Sequence, residues 1–587
     1  MTLERAAVAR LSCNPAIGGL AKGHIVREID ALGGVMGLAA DATGIQFRML
    51  NTSKGPAVRA PRSQQDKPLY TEWMLAVLDR IPNVEIVEGM AVDLLDDERG
   101  VAGVVLDGGR RLLSRAVVLC TGTFLDGLMH VGFEHFDGGR IGEQAATGLS
   151  AAFARLGLTS GRLKTGTPPR LHKDSIDYAR CKVQRGDEPP QPFSYLTERL
   201  DVEQVCCHIT WTNETTHRII LDNLDRSPLY AGIIKGVGPR YCPSIEDKVV
   251  RFAGRDRHQI FLEPESRSRP EVYVNGVSTS LPRDVQDGIV HSIRGLEHAR
   301  ILQYGYAVEY TFVPPAQLRP TLETKAVPGL YCAGQINGTS GYEEAGGQGL
   351  VAGVNAVLKL RGEGEFVLGR DEAYIGVLID DLVTKGVTEP YRMFTSRAEH
   401  RLVLRQDNAD LRLTERGRRL GIVDDIRYER FCRYRESLEK EMRRLEETRM
   451  RPSDMPSEFL DALDMAPPER GFSLAELLAR PEVSYGQLAL LGEVPADARV
   501  CGQAAIQIKY AGYIQRQQEL IERQRQWEER RLPEDFGYTS IRALSNEAKT
   551  RLSEVRPRTL GQASRVSGVT PSDIEVLMIH LRAAERQ

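Results

Sequence analysis

Two apolar runs that each stop at a glycine turn set the tightest limit on how this chain can fold. RAVVLCTGTFLDG (115–127) is apolar from Ala116 to Cys120 and halts at Thr121-Gly122-Thr123. GLYCAGQINGTSGYEEAGGQGLVAGVNA (329–356) reads as a strand, a glycine-rich turn and a helix carrying Ala345, Gly346, Gly347 and Gly349. A continuous apolar run marks a strand buried on both faces. Small residues just past its end let a ligand approach the backbone, and a helix N-terminus offers free amides to an anionic phosphate. The pattern predicts an α/β unit with a ligand beside these turns, although a lone glycine after a buried strand is more often a plain turn.

At about 100 to 200 residues per domain, 587 residues make roughly three to five domains. Short β-rich runs separated by glycine turns extend over 1–161. A segment over 162–261, with GRLKTGTPPR and GVGPRYCPSIEDKVVRF, interrupts them as an inserted domain. Sheet-like text returns over 262–360, and 361–587 reads as helical. There Leu438, Met442 and Leu445 form one apolar stripe at helical spacing. A helix is expected from Ala505 to Glu529 with Ile506, Tyr510, Tyr513, Ile514, Leu520 and Ile521 facing inward. Near the end, Gly568 stops one helix, and Thr570, Pro571 and Asp573 open another with a capping box.

The chain is 41% hydrophobic and 27% charged, and no apolar run approaches the roughly 18 to 20 residues that cross a bilayer. With no signal peptide in the text, the expected location is cytoplasmic. Nine scattered cysteines without CxxC pairs argue against a disulfide framework or a zinc site. A net charge of −3 excludes an overall basic coat but allows a local patch for nucleic acid. Between Arg392 and Arg419 there are eight arginines against four acids, which suits either an RNA contact or a helix face laced with ion pairs.

Two thiols carry the reactive chemistry. Cys13, in SCNPAIGG, sits in a turn ahead of a helix expected near Ala21, with Lys22 and His24 close by in sequence. Cys242, in GPRYCPSIEDK, is flanked by Arg240 and Lys248. Electropositive settings of this kind favour a thiolate. A pair of such thiols could act as nucleophile and acid, or could activate C5 of a pyrimidine by adding at C6. A bland role is open to each: a structural thiol for Cys13, and for Lys248 a surface ion pair with Glu246 or Asp247.

SCNPAIGG, NTSKGPAVRAPR, GRLKTGTPPR, NLDRSPLYAGIIKGVGPRYCPSIEDKVVRF, HQIFLEPE, AGQINGTSGYEEA, TEPYRMFTSRAEHRL and GQASRVSGVTP succeed one another along nearly the whole chain. In order and content they resemble the MnmG (GidA) family of tRNA uridine 5-carboxymethylaminomethyl modification enzymes. The resemblance implies a glutathione-reductase-like FAD domain of α/β class, split by an inserted domain tied to NADH, and an all-α C-terminal domain. It implies modification of C5 of the wobble uridine with FAD, NADH and methylene-tetrahydrofolate, and catalysis by Cys13 and Cys242. FAD contacts fall on Ala91, Gly122, Thr123, Ala146 and Gln335. The NAD stretch runs through Gly238, Pro239, Arg240, Tyr241, Cys242, Pro243, Ser244, Ile245, Glu246, Asp247, Lys248, Val249, Val250, Arg251 and Phe252. The implied partners are tRNA, the MnmE GTPase and a second copy of the chain. Arg392, Arg397 and Arg401, interleaved with Tyr391 and Phe394, are expected to meet the RNA.

A dinucleotide fingerprint needs a strand, GxGxxG and a helix within roughly 30 residues. Only MTLERAAVARLS precedes Cys13, and Gly236-Val237-Gly238 runs into Pro239, so the pattern is not met. The expectation is a unit truncated at its start, through a start codon assigned too far downstream in preference to a cut sequence or a natural remnant, and weak or absent flavin binding by this exact sequence. Two other readings are a folate- and flavin-dependent tRNA uridine methyltransferase, which the long helical tail argues against, and a flavin-deficient remnant that only binds tRNA or MnmE.

Overall fold

A computed structural model describes residues 1–240, 243–463, 469–492, 495 and 497–584. The two apolar runs become neighbours: strands Val117–Leu119 and Leu330–Cys332 pair in parallel, with Val118 opposite Tyr331. The helix Tyr342–Arg361 comes after the second strand. Two of its glycines allow close packing. A Cβ on Gly346 would lie 2.8 Å from Met36 Cε, and one on Gly347 would lie 3.2 Å from Ile375. Gly349 differs, because nothing lies within 4 Å of the Cβ it lacks.

Helix Lys22–Ala31 is buried along its length from Gly23 to Ala31, which places His24, Glu28 and Asp30 inside the protein. Such groups need partners. Glu28 accepts hydrogen bonds from the Tyr374 and Ile375 amides at 2.8 and 3.0 Å and pairs with Arg412 at 3.1 Å. Its carboxylate thereby caps helix Tyr374–Lys385, which is buried from Tyr374 to Thr384. One apolar cluster runs from Ala21 through Leu330, Val351 and Leu378 to Leu413. The expected division at 360/361 therefore cuts through a core, because this buried helix packs against the first unit.

His24, fully buried, lies against the Tyr374 ring at a tilt of 47° with ring centroids 4.6 Å apart. Burial, helped by Arg412, holds its pKa down to about 3 from an ordinary 6.5. A ring that is neutral in the fold but protonates when unfolded stabilises fully above pH 6.5, and that stabilisation is lost as pH falls toward 3. Between pH 7 and pH 5 this one residue should cost about 2 kcal/mol of stability. Urea titrations of the wild type and His24→Phe at the two pH values should show a smaller difference in the variant.

The inserted unit is built on a six-stranded antiparallel sheet: Lys182–Gln184, Cys207–Trp211, Gln259–Pro264, Glu271–Asn275, Arg170–His172 and Ile301–Gln303, in that spatial order. The expected end at 261/262 falls inside the third of these strands, and pairing carries the unit on to Gln303. Its chain enters and leaves through Gly161–Thr167 and Tyr306–Phe312, which pair antiparallel with Lys164 opposite Glu309.

The C-terminal part is helical, as expected, with two apolar clusters at Tyr434–Ala504 and Leu532–Leu581. Leu438 and Leu445 are buried in the first, with Met442 packed against it. The single helix expected over 505–529 is two, Ala498–Lys509 and Ala511–Glu528, broken at Tyr510. Tyr513 and Leu520 are 60% and 50% exposed, so two of the six residues placed on its inner face point outward. Gly568 takes φ +88°, and Thr570 and Asp573 exchange the capping bonds, Asp573 N to Thr570 Oγ1 at 3.2 Å and Thr570 N to Asp573 Oδ2 at 3.0 Å.

Candidate functional site at the carboxyl edge of the parallel strands

Ligands of open α/β sheets bind outside the carboxyl ends of the strands. Thr121-Gly122-Thr123 and Gly334-Gln335 leave the two parallel strands on that side. Thr123 Oγ1 donates to the Gly139 carbonyl, which folds the turn, while Thr121 Oγ1 is buried with no hydrogen-bond partner among the described residues. Gly334 takes φ +84°, and a Cβ there would press on Ala345 Cβ at 3.1 Å, so the backbone lies against the start of the long helix. Ala146 pairs with Leu125 through a β-bridge and exchanges backbone hydrogen bonds with Phe124 and Asp126. Thr147 N lies 3.5 Å from Met90 Sδ, which brings Ala91 alongside. Residues dispersed over 91–335 in sequence thus share one neighbourhood.

Cys13 sits next to it. Its amide donates to the Tyr342 hydroxyl at 2.7 Å, at the first residue of the long helix, and its Sγ lies 2.9 Å from Tyr273 Oη. Arg170, buried, donates to the Ser12 carbonyl at 3.1 Å and lies over the Tyr273 ring at 4.8 Å. Its charge is balanced by Glu265 at 3.1 Å, which Lys67 also approaches at 3.0 Å. Burial, and then the nearby Cys13, push the Tyr342 phenol well above its ordinary pKa, so it keeps its proton. One thiol therefore faces a tyrosine hydroxyl backed by a guanidinium.

The groups expected to make this thiol electropositive are not the ones that do so. His24 is a neutral core residue, and Lys22 Nζ lies between Glu343 and Glu344 at 3.0 and 3.2 Å. The helix begins at Lys22, close to the expected Ala21, but the strand Ala16–Gly18 intervenes after Cys13. Gly18 explains part of the SCNPAIGG pattern: at φ +84°, a Cβ would meet the Pro61 carbonyl oxygen at 2.3 Å. Arg170, Tyr273 and Tyr342 escaped the sequence reading; Arg170 and Tyr342 lie in conspicuous motifs, whereas EVYVN around Tyr273 carries no signal.

Cys242 and Tyr241, singled out in the sequence, lie outside the described residues. The rest of the 238–252 stretch is in place. Gly238 lies against the Lys164 side chain, and helix Ile245–Arg251 starts from an N-cap at Ser244, whose Oγ accepts from Asp247 N at 3.2 Å. Ile245, Glu246 and Val249 face inward, whereas Val250 and Phe252 are exposed. Lys248 Nζ donates to the Gly276 carbonyl at 2.9 Å, and Glu246 accepts from Thr279 Oγ1, so the ion-paired surface expected for Lys248 gives way to a tie between helix and sheet.

Of the eight arginines over 392–419, several are structural. Arg405 is 2% exposed and pairs with Asp407; Arg412, Arg416 and Arg418 pair with Glu28, Glu372 and Asp425. Tyr391 is buried with its hydroxyl on Asp381, and Arg397 is pinned over its ring at 4.2 Å. Arg392 is half-buried and Arg401 exposed.

A family model described as glucose inhibited division protein A matches residues 1–364. Two models described as the C-terminal helical domain and helical bundle of the tRNA modifying enzyme MnmG/GidA match residues 425–518 and 520–587. The chain belongs to the MnmG/GidA family. It is 53% identical over 580 residues to the tRNA uridine 5-carboxymethylaminomethyl modification enzyme MnmG of Thermodesulfovibrio yellowstonii, covering 98% of this chain and 93% of the relative. The enzyme of the same description from Pelobacter propionicus is 54% identical over 585 residues, covering 99% and 93%. Among solved structures, Aquifex aeolicus GidA in its form II crystal superposes with a TM-score of 0.91 at 45% identity, covering 99% of this chain and 94% of that one. The fold is thus the MnmG/GidA fold, and the two C-terminal models coincide with the two helical cores. Among the described residues no helix is long and apolar enough to cross a membrane.

Proposed function

We propose that this chain modifies C5 of the wobble uridine in tRNA, adding a carboxymethylaminomethyl or aminomethyl group together with MnmE. The observation that carries the reading is the Cys13 cluster, a thiol 2.9 Å from a tyrosine hydroxyl beside a buried arginine, at the edge where the parallel strands end. FAD fits the residues at that edge, where Thr121 Oγ1 offers a buried hydroxyl with no partner among the described residues. Ala91, Gly122, Thr123, Ala146 and Gln335 would hold it. When bound, FAD supplies the redox carrier for installing the carbon of methylene-tetrahydrofolate, with NADH as reductant.

In this reading the thiolate of Cys13 adds to C6 of the uracil, breaking the C5–C6 double bond and placing the electron pair on C5 and O4 as an enolate. Tyr273 Oη holds the sulfur in place, and Arg170 supplies positive charge where negative charge develops. Cys242 is the proposed second thiol. A wobble base must leave the anticodon stack to reach Cys13, and Arg392, Arg397 and Arg401 would hold the surrounding RNA. The proposed assembly is a dimer of this chain with MnmE, in the cytoplasm.

The test is a trap. Transcripts carrying 5-fluorouridine at the wobble position cannot release a C6 adduct by losing a C5 proton. Peptide mass spectrometry should find the nucleotide on the Cys13 peptide. An adduct on another cysteine, or none under conditions where the unmodified tRNA is turned over, would remove Cys13 from this role.

A further inference from the structure

Lys164, in GRLKTGTPPR, has no part in the chemistry above. It stands on strand Gly161–Thr167 directly across from Glu309. Opposite charges so placed ordinarily pair, but Glu309 is fully occupied. Its Oε1 accepts the Lys235 and Gly236 amides at 3.0 and 2.6 Å, and its Oε2 lies 3.0 Å from His130 Nε2. These bonds lay residues 235–238 along the strand, where Lys164 N donates to the Val237 carbonyl at 3.0 Å. Lys164 itself is only 5% exposed, and among the described residues its Nζ has neither a carboxylate nor a hydrogen-bond acceptor.

The ammonium borders a narrow cleft walled by Gly238, Pro239, Ser244, Asp247, Ser278 and Thr279. A Cβ on Gly238 would lie 3.8 Å from Nζ, so the bare glycine keeps open the space beside the charge. Asp247 faces elsewhere, its Oδ1 being 3.2 Å from the Tyr230 hydroxyl and 3.9 Å from Arg251. Ser244 Oγ accepts from the Asp247 amide, which leaves its hydroxyl proton to donate. The stem of Lys164 is buried while its ammonium, which lacks a partner among the described residues, opens on the cleft. An anion entering the cleft would supply one, with a hydroxyl donor beside it.

We infer that Lys164 is the cation of a phosphate site, and that it takes a phosphate of the dinucleotide bound along 238–252. Lysine suits a phosphate as a compact point charge. This inference rests on the reading of that stretch as the NADH segment, which can fail separately.

The probe is ADP-ribose, which carries the pyrophosphate without the nicotinamide, titrated onto the full chain by calorimetry. Lys164→Met should weaken its binding by about tenfold or more, and Lys164→Arg should restore most of the affinity. Affinity for tRNA should be unchanged in both variants. In the wild type, ADP-ribose should slow acylation of Lys164 by acetic anhydride, a readout that does not depend on how a variant folds. Equal ADP-ribose affinity in Lys164→Met, or no protection of Lys164, overturns the inference while leaving the NADH segment intact. Loss of tRNA affinity alone assigns the phosphate to RNA and also overturns it. If the wild type binds neither ADP-ribose nor NADH, the NADH segment and the inference fall together.

Discussion

Cys13→Ser should leave the protein folded and lower the rate of tRNA modification by about three orders of magnitude or more, because an un-ionised hydroxyl is a far poorer nucleophile than a thiolate at neutral pH. The loss should be confined to steps on the uridine. Cys13 contacts Tyr273 and Tyr342, neither of which belongs to the 238–252 stretch proposed for NADH. Reduction of added FAD by NADH, read as the bleaching of its visible band, should therefore proceed at the wild-type rate. Tyr273→Phe removes one hydrogen bond to the sulfur and should give a smaller loss, roughly tenfold. A Cys13→Ser enzyme that still modifies tRNA within a few-fold of wild type would leave the cluster a structural one.

Glu28→Ala should be the most destabilising single change in the first unit, at about 3 kcal/mol. The side chain is fully buried and bonded to two amides and a guanidinium, joining the helix after SCNPAIGG to helix Tyr374–Lys385 and to Arg412. Its removal leaves two orphaned amides and takes the carboxylate from Arg412, whose remaining bonds include the Arg405 carbonyl at 3.3 Å. Urea unfolding should show the loss in the midpoint with little change in slope. Glu28→Gln, which can still accept one amide bond, should lose less. Equal stability of Glu28→Ala and wild type would mean that water replaces every one of these bonds.

The strands Val117–Leu119 and Leu330–Cys332 were legible as apolar runs whose ends are announced by turn residues, although only the second is buried throughout, Val117 and Val118 being half-buried. Thr570 and Asp573 were legible because a capping box is a local device. Helix boundaries that depend on tertiary packing were not. Tyr513 and Leu520 fit an inward stripe in the sequence, but the helix is broken at Tyr510 and both face out. Likewise the arginines of 392–419 read as one patch, whereas Arg412 and Arg416 are matched by Glu28 and Glu372 from elsewhere in the chain. Tyr273 and Lys164 matter through what lies across a sheet from them, and a residue's cross-strand neighbour is set by register, which no local motif prints.

The most direct measurement is the nucleoside composition of an unmodified substrate tRNA after incubation with the purified chain, MnmE, GTP, methylene-tetrahydrofolate, NADH, glycine and excess FAD. The account predicts 5-carboxymethylaminomethyluridine at the wobble position, lost when NADH is omitted and lost with Cys13→Ser. A wild-type protein that takes up FAD, is reduced by NADH and binds the tRNA, yet leaves the uridine unchanged, would contradict it.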